Sequence, residues 1–214
     1  MPDVNSAEFW DAAYRDERDG WDMGTPTPVF ASLLDRHGRD LRPLGGPDFS
    51  SRQDAVRVAL PCSGRGYDAQ LFARHGFDVT AIDFSVLALE ALRAESAALD
   101  ILQADLFHLP GERPAYFDMI VEYTCVCAIE PARRAELVAV FDSILRPGGV
   151  LLMLLFPVDG RPGGPPFSID PDEWRALMAP RFALLYDEIP EDSVKPRRGK
   201  ERLMLWRKRA AEER

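Results

Sequence analysis

Residues 59–68 read ALPCSGRGYD. An apolar run over 56–60 ends at Pro61, and Cys62, Ser63, Gly64, Arg65 and Gly66 follow before a helix start at Asp68. Gly64, Gly66 and Ala69 fit G-x-G-x-x-A, the strand-to-helix turn that brings backbone N–H groups up to a nucleotide. A dinucleotide sets its pyrophosphate on the N-terminus of that helix, where N–H groups and the helix dipole attract anions. The Asp68 carboxylate would repel it. It suits a ligand whose nearest group is a cation. S-adenosylmethionine, with an ammonium, a sulfonium and no phosphate, meets that condition. The competing reading of Asp68 is a first-turn acid favoured by the dipole.

Two further acids stand at expected strand tips. Asp83 closes FDVTAID, followed by Phe84, where a carboxylate accepts the hydroxyls of a ribose. NAD and S-adenosylmethionine both have that ribose, so Asp83 does not separate them. Asp105, in LQADLFHLP, is placed to accept an adenine amino group while Leu106 or Phe107 covers the ring; a plain turn residue is the alternative.

The elements that must position these residues alternate. Strands are expected over 56–60, 77–82, 99–103, 117–122 and 150–156. Helices are expected over 68–75, 86–97 with Ser85 as N-cap, 133–145 and 171–178. Pro147-Gly148-Gly149 stops the last long helix, and the unbroken apolar run after it suits a strand buried on both faces. Strands over 182–189 and 202–208 lie at hairpin distance. The pattern predicts an α/β fold: a doubly wound, mostly parallel sheet with helices on both faces and an antiparallel C-terminal edge strand. Residues 7–38 read as helix interrupted around 20–28, and DGRPGGPPF (159–167) lies on the ligand side of the sheet.

Composition narrows the partners. The chain has 214 residues and a net charge of −9, which argues against nucleic acid, whose phosphates need a basic face. No apolar run approaches a membrane span, and no signal peptide opens the chain. The basic cluster at 195–209 has acids among it and reads as a solvated strand pair. Three cysteines form no paired framework, which points to a reducing cytoplasm. They read as small buried apolar residues, with neither a disulfide nor a metal assigned.

Together these residues resemble class I S-adenosylmethionine-dependent methyltransferases. FWDAAYRDERDGWDMGTPTP, VALPCSGRGYDAQLFARHGFDVTAIDFS, VEYTCVCAIEPARR, LLMLLFPVDGRPGGPPFSI and RRGKERLMLWRKR are similar to the thiopurine, thiol and halide S-methyltransferase branch, over nearly the whole chain. The resemblance implies one Rossmann-like domain over 1–214 with a seven-stranded sheet, and S-adenosyl-L-methionine as cofactor. Residues 1–40 become an N-terminal helical lid in which Trp10, Tyr14 and Trp21 face the cofactor. Pro61, Cys62, Gly64, Gly66, Asp68, Asp83, Phe84, Asp105, Leu106 and Glu122 complete the cofactor side. Tyr123 is the expected catalytic and substrate-side aromatic, with Cys125 and Phe167 as further substrate contacts. The implied partner is a small-molecule thiol or related nucleophile, handled by a monomer or weak homodimer in the cytoplasm.

The chain departs from the pattern twice. The branch usually shows Pro-Gly-Cys-Gly where this chain has Pro61-Cys62-Ser63-Gly64. A glycine there permits an unusual backbone angle or a close approach. Cys125 stands where thiol and halide members tend to have an aromatic, which implies a wider acceptor pocket. The expected reaction is in-line displacement of the cofactor methyl by a thiolate, with Tyr123 orienting the acceptor and Arg133 or Arg134 as candidates for an anionic substrate. An NAD(P)-linked oxidoreductase, from Gly64, Gly66 and Asp83, and a non-catalytic S-adenosylmethionine-binding protein, from Cys62, are the rival classes.

Overall fold

The apolar run that ends at Leu155 serves two cores at once. Val150, Leu152 and Leu154 enter one buried cluster, and Leu151, Met153 and Leu155 enter the other. This period-two division is what a strand buried on both faces requires. The computed structural model describes residues 3–95, 99–210 and 212. Its strands are β1 (Arg57–Pro61), β2 (Asp78–Asp83), β3 (Asp100–Gln103), β4 (Phe117–Tyr123), β5 (Leu145–Leu155), β6 (Phe182–Glu188) and β7 (Arg202–Lys208). Its helices are α1 (Ala7–Arg15), α2 (Pro28–His37), α3 (Tyr67–Arg74), α4 (Val86–Glu95), α5 (Leu109–Glu112), α6 (Arg134–Ile144) and α7 (Pro171–Met178).

The seven strands form one sheet in the order β3-β2-β1-β4-β5-β7-β6. The first five pair in parallel, and β7 runs antiparallel to both β5 and β6. One cluster packs α2, α3 and α4 through Phe30, Phe72 and Leu89. The other packs α5, α6 and α7 through Leu109, Phe141 and Trp174. Burying a side chain of this size stabilises the fold by about 2 kcal/mol. The predicted cap of α4 is present, with Ala88 N donating to Ser85 Oγ at 3.2 Å. The helix is described as far as Glu95; residues 96 and 97 of the expected helix lie outside the described residues.

Three boundaries differ from the sequence reading. The C-terminal strand β7 lies one position inside the edge, and β6 takes the edge itself. Leu203, Met204, Leu205 and Trp206 are all buried and need a neighbour on each side, whereas β6 leaves Leu184 39% exposed. Second, α6 stops at Ile144 and β5 begins at Leu145, before Pro147. The chain bulges there, since Phe117 pairs with Leu145 but Met119 pairs with Val150. Gly149 permits the approach, because a Cβ on it would lie 3.0 Å from the Asp118 carbonyl oxygen. Third, α5 and the short turn over Leu106–His108 were not expected. Among the described residues, no helix is long and apolar enough to cross a membrane.

Candidate active site

A cavity of about 900 Å³ opens beside the ends of β1, β2 and β4. Pro61, Cys62, Gly64, Asp68, Asp83, Phe84, Asp105 and Tyr123 line it, as do Trp10, Tyr14 and Trp21 from the N-terminal segment. The turn after β1 is set by its backbone. Cys62, Gly64 and Gly66 all have positive φ, at 50°, 54° and 72°. Cys62 therefore occupies a left-handed position that favours glycine, at a cost of about 1–2 kcal/mol. A Cβ on Gly64 would lie 3.0 Å from the Tyr14 hydroxyl, so this glycine admits the N-terminal segment. Gly66 is not part of the cavity wall. A Cβ there would lie 2.5 Å from Leu92 Cδ1, so its role is to let α4 pack against the turn.

Asp83 organises the turn from the tip of β2. One carboxylate oxygen accepts from Gly64 N and the other from Ser85 N, both at 2.9 Å. Burial pushes its carboxyl above the usual range, against the lowering effect of these N–H donors. Each oxygen keeps a lone pair for a further donor. Ser63 Oγ is buried in the cavity wall with no partner. An orphaned hydroxyl beside a carboxylate with spare acceptor capacity fits a ligand that brings its own hydroxyls.

Asp68 lines the cavity, but its carboxylate is held by protein. Its two oxygens accept from Thr27 N and Thr27 Oγ1, each at 2.7 Å. The carboxylate expected to face a cation thus secures the N-terminal segment. Three more contacts do the same. Asp11 accepts from Ser85 Oγ at 2.6 Å, Arg65 pairs with Asp19 at 2.6 Å and also with Asp22, and Arg197 donates to the Trp21 carbonyl at 2.7 Å. Trp10 and Tyr14 pack edge-on to Trp21, with ring centroids 5.3 and 5.5 Å apart. Burial and the neighbouring Asp83 raise the Tyr14 phenol pKa, so it stays protonated.

On the other side, Tyr123 is clamped. Its hydroxyl donates to Glu201 and accepts from Arg197. Its proton is spent on Glu201, so it has none to donate to an acceptor as expected. Burial and Glu201 raise its pKa further, which removes it as a base. Arg197 and Glu201 are 5% and 1% exposed. Sequence reasoning placed Arg197 in a solvated strand pair. No signal in the residues around it marked it as buried, since its neighbours Lys195 and Arg198 are also basic. The other guanidiniums lining the cavity, Arg18, Arg65, Arg133 and Arg161, each lie against a carboxylate. Arg197 hydrogen-bonds a phenol and a carbonyl instead, with the Asp68 carboxylate acting on it through space.

Several expected contacts lie off the wall. Leu106 is buried beneath Asp105, whose side chain accepts from Phe107 N at 2.9 Å; Phe107 lines the cavity in its place. Arg133 stacks on the Phe107 ring at 3.7 Å, whereas Arg134 donates to the Ser168 carbonyl at 2.9 Å, away from the cavity wall. Glu122, the next-to-last residue of β4, is buried, with one oxygen accepting from Val126 N at 2.9 Å and the other unpartnered. Burial raises its pKa to about 7. Phe167 packs on Gly164 instead of facing the cavity, and Pro165 and Pro166 take the wall. Cys125 is fully buried and does not widen the pocket; Cys127, Ala128 and Ile129 line it after β4. The expectation of unpaired cysteines is also corrected. Cys62 and Cys125 form a disulfide, because the turns after neighbouring strands β1 and β4 bring their Cα atoms to 5.3 Å.

The family model described as thiopurine S-methyltransferase matches residues 5–210. The chain belongs to that family. It is 32% identical over 212 residues to the probable thiol methyltransferase 2 of Arabidopsis thaliana, covering 95% of this chain and 86% of that one. It is 29% identical to thiocyanate methyltransferase 1 of the same plant, covering 93% and 84%. Among solved structures, the 1,6-didemethyltoxoflavin-N1-methyltransferase of Burkholderia thailandensis, which has bound S-adenosylhomocysteine, superposes with a TM-score of 0.67. At 22% identity over 95% of this chain and 87% of that one, this neighbour speaks for the fold. The protein is an S-adenosylmethionine-dependent S-methyltransferase with a Rossmann-like sheet, and the oxidoreductase and binding-protein readings are not favoured.

Proposed function

We propose that this methyltransferase acts on the sulfur of a small organic thiol, bound as its thiolate against Arg197. The observation that carries this reading is a buried guanidinium at the cavity wall, partnered by a phenol and a carbonyl while its neighbours have carboxylates. Its hydrogen-bond partners are neutral, so it can still attract an anion, although Asp68 acts on it through space and Glu201 through the Tyr123 hydroxyl. Asp83 and the orphaned Ser63 hydroxyl fit the ribose side of S-adenosylmethionine, Asp105 and Phe107 the adenine side, and Trp10, Tyr14 and Trp21 the sulfonium side. Aromatic faces near a sulfonium contribute about 0.5–2 kcal/mol. When bound, that cofactor supplies an activated methyl group.

The protein's own residues then bind, orient and dry. A free thiol has a pKa of about 8.5, so a useful thiolate fraction exists at neutral pH without a general base. Arg197 favours the thiolate over the thiol. Tyr123, fixed by Glu201, holds the guanidinium in place and is a positioning residue rather than a catalytic one. The N-terminal segment as far as Thr27 acts as a lid that excludes water, secured through Asp68, Ser85, Arg65 and Arg197, whereas α2, expected as part of that lid, is core through Val29, Phe30, Leu33 and Leu34. We take the enzyme to be a single domain over 1–214 and a monomer or weak homodimer; the Cys62–Cys125 disulfide removes the unpaired-cysteine ground for a reducing cytoplasm.

The test is S-adenosylhomocysteine release across a panel of aliphatic thiols, aromatic thiols, thiopurines, thiocyanate and halides. Turnover with organic thiols well above that with inorganic anions supports the reading. Turnover confined to thiocyanate or halide would replace it.

A further inference from the structure

Two sulfurs meet at the cavity wall. Cys62 follows β1 and Cys125 follows β4, and their disulfide ties the cofactor turn to the loop beyond Tyr123. The 5.3 Å between their Cα atoms lies in the ordinary bonded range. The two ends of the bond differ in access. Cys125 is fully buried, whereas Cys62 is half-buried and lines the cavity. A nucleophile in the cavity therefore reaches the bond from the Cys62 side.

Both sides of the bond adjoin a left-handed backbone. Cys62 has φ 50°, and Thr124, next to Cys125, has φ 65°. Such left-handed non-glycine residues cluster where a local geometry is functional. A third sulfur is close in sequence. Cys127 lines the cavity and donates to the Thr124 carbonyl at 3.2 Å. Burial and Glu122 push its thiol up to about 12, so it remains protonated and does not itself attack the bond.

We propose that the Cys62–Cys125 disulfide is a thiol–disulfide exchange site opened from the acceptor cavity by the class of small organic thiolate that the enzyme methylates. The inference rests on the thiol reading above. The thiolate attacks Cys62 Sγ, a new S–S bond forms, and the Cys62–Cys125 bond breaks. Cys125 leaves as a thiolate and takes the proton of the next organic thiol to enter the cavity. A second thiolate attacks the outer sulfur of the mixed disulfide, releases the symmetrical organic disulfide and frees Cys62, which is protonated in turn. The two cysteines are reduced and two thiols are oxidised, once per chain. Attack falls on Cys62 because the cavity reaches that sulfur and not the fully buried Cys125.

The experiment uses air-isolated full-length enzyme, benzyl mercaptan and no S-adenosylmethionine. Alkylation under denaturing conditions, read by mass, should find one reactive cysteine before treatment, Cys127, and all three afterwards. One equivalent of dibenzyl disulfide should appear per chain. Saturating S-adenosylhomocysteine, which fills the cavity beside Cys62, should slow its appearance about 10-fold, since exchange rates follow access. Cys125→Ser should form none. Three alkylatable cysteines at the start, no dibenzyl disulfide, a rate indifferent to S-adenosylhomocysteine, or undiminished formation by Cys125→Ser would each overturn the proposal. Wild-type measurements suffice should that variant fold poorly. Adding S-adenosylmethionine in a parallel arm reads benzyl methyl sulfide. Loss of the sulfide alone counts against thiol methylation, and loss of the disulfide alone counts against exchange.

Discussion

Thr27 presents both its backbone N–H and its hydroxyl to the carboxylate of Asp68, each at 2.7 Å. Thr27 is the N-cap of α2, and Asp68 stands in the first turn of α3. The Thr27 side chain makes no capping bond within α2 and turns to Asp68 instead. One carboxylate therefore benefits from the α3 dipole and fixes the point where the N-terminal segment enters the fold.

Asp68→Asn tests that role. Asparagine keeps one acceptor oxygen for Thr27 N and turns its NH₂ group to Thr27 Oγ1, which can accept it, so both hydrogen bonds survive without the charge. The variant should lose about 1 kcal/mol of stability, the difference between a charge-assisted and a neutral hydrogen bond. The KM for S-adenosylmethionine should rise as the segment loosens, and kcat at saturating cofactor should change little. Thermal unfolding and steady-state kinetics decide. A raised KM with unchanged unfolding would return Asp68 to direct contact with the cofactor.

Arg197 carries the second prediction. Arg197→Met keeps much of the apolar stem beside Phe156 and Tyr123 but removes the charge. The KM for the thiol should rise about 10–100-fold, equivalent to 1.5–3 kcal/mol. The rate should also become steeper with pH below the thiol pKa, because nothing then favours the thiolate. Arg197→Lys should recover part of the loss, since a lysine is a point charge without the planar fork. An unchanged pH–rate profile in Arg197→Met would remove Arg197 from the acceptor site.

The parts of this molecule that were legible in its sequence are those set by period and punctuation. The strands, the Ser85 cap, and the Asp83 and Asp105 tips follow from alternation, glycines and acids at fixed offsets. What was not legible depends on contacts far apart in the chain. Arg197 lies 176 residues from Trp21, whose carbonyl it meets, and Glu201 lies 78 residues from Tyr123. Local sequence shows only a basic stretch there. Cys62 and Cys125 stand 63 residues apart, and only the adjacency of β1 and β4 brings them together. Cys125 and Phe167 were placed on the pocket by position along the chain, but strand and loop direction turned them away from it.

Glu122 makes stability depend on pH. Its carboxyl titrates near pH 7 in the folded chain, raised from 4.5 by burial. A raised carboxyl binds its proton more tightly folded than unfolded, so its favourable contribution is complete below about pH 4.5 and is lost as pH rises through about 7. The whole effect amounts to at most about 3 kcal/mol. Glu122→Gln keeps an oxygen for Val126 N and has no charge to bury. Its unfolding free energy should vary less between pH 5 and pH 8, measured by urea titration at each pH, and should equal or exceed wild type at pH 8. Parallel curves for the two proteins would mean that Glu122 does not titrate in this range.

Trp21→Ala separates a lid from a core. The ring is only partly buried and meets Trp10 and Tyr14 edge-on, contacts worth about 0.5–1.5 kcal/mol each. Its carbonyl is tied to Arg197 through the backbone, so the substitution leaves that hydrogen bond available. Phe30, Phe72 and the strand interiors are packed elsewhere, and the sheet should keep a single cooperative unfolding transition lowered by about 1–3 kcal/mol. The cofactor side should suffer more, because the ring lines the cavity and supports Tyr14 above Gly64. The KM for S-adenosylmethionine should rise about 5–20-fold, the loss of roughly 1–2 kcal/mol of aromatic contact. The KM for the thiol should move less, since Arg197 keeps its other partner, Tyr123. Chemical denaturation and two-substrate kinetics measure both quantities. Loss of the cooperative transition would make Trp21 a core residue, and equal rises in both KM values would mean that the segment closes over the whole cavity rather than over the cofactor.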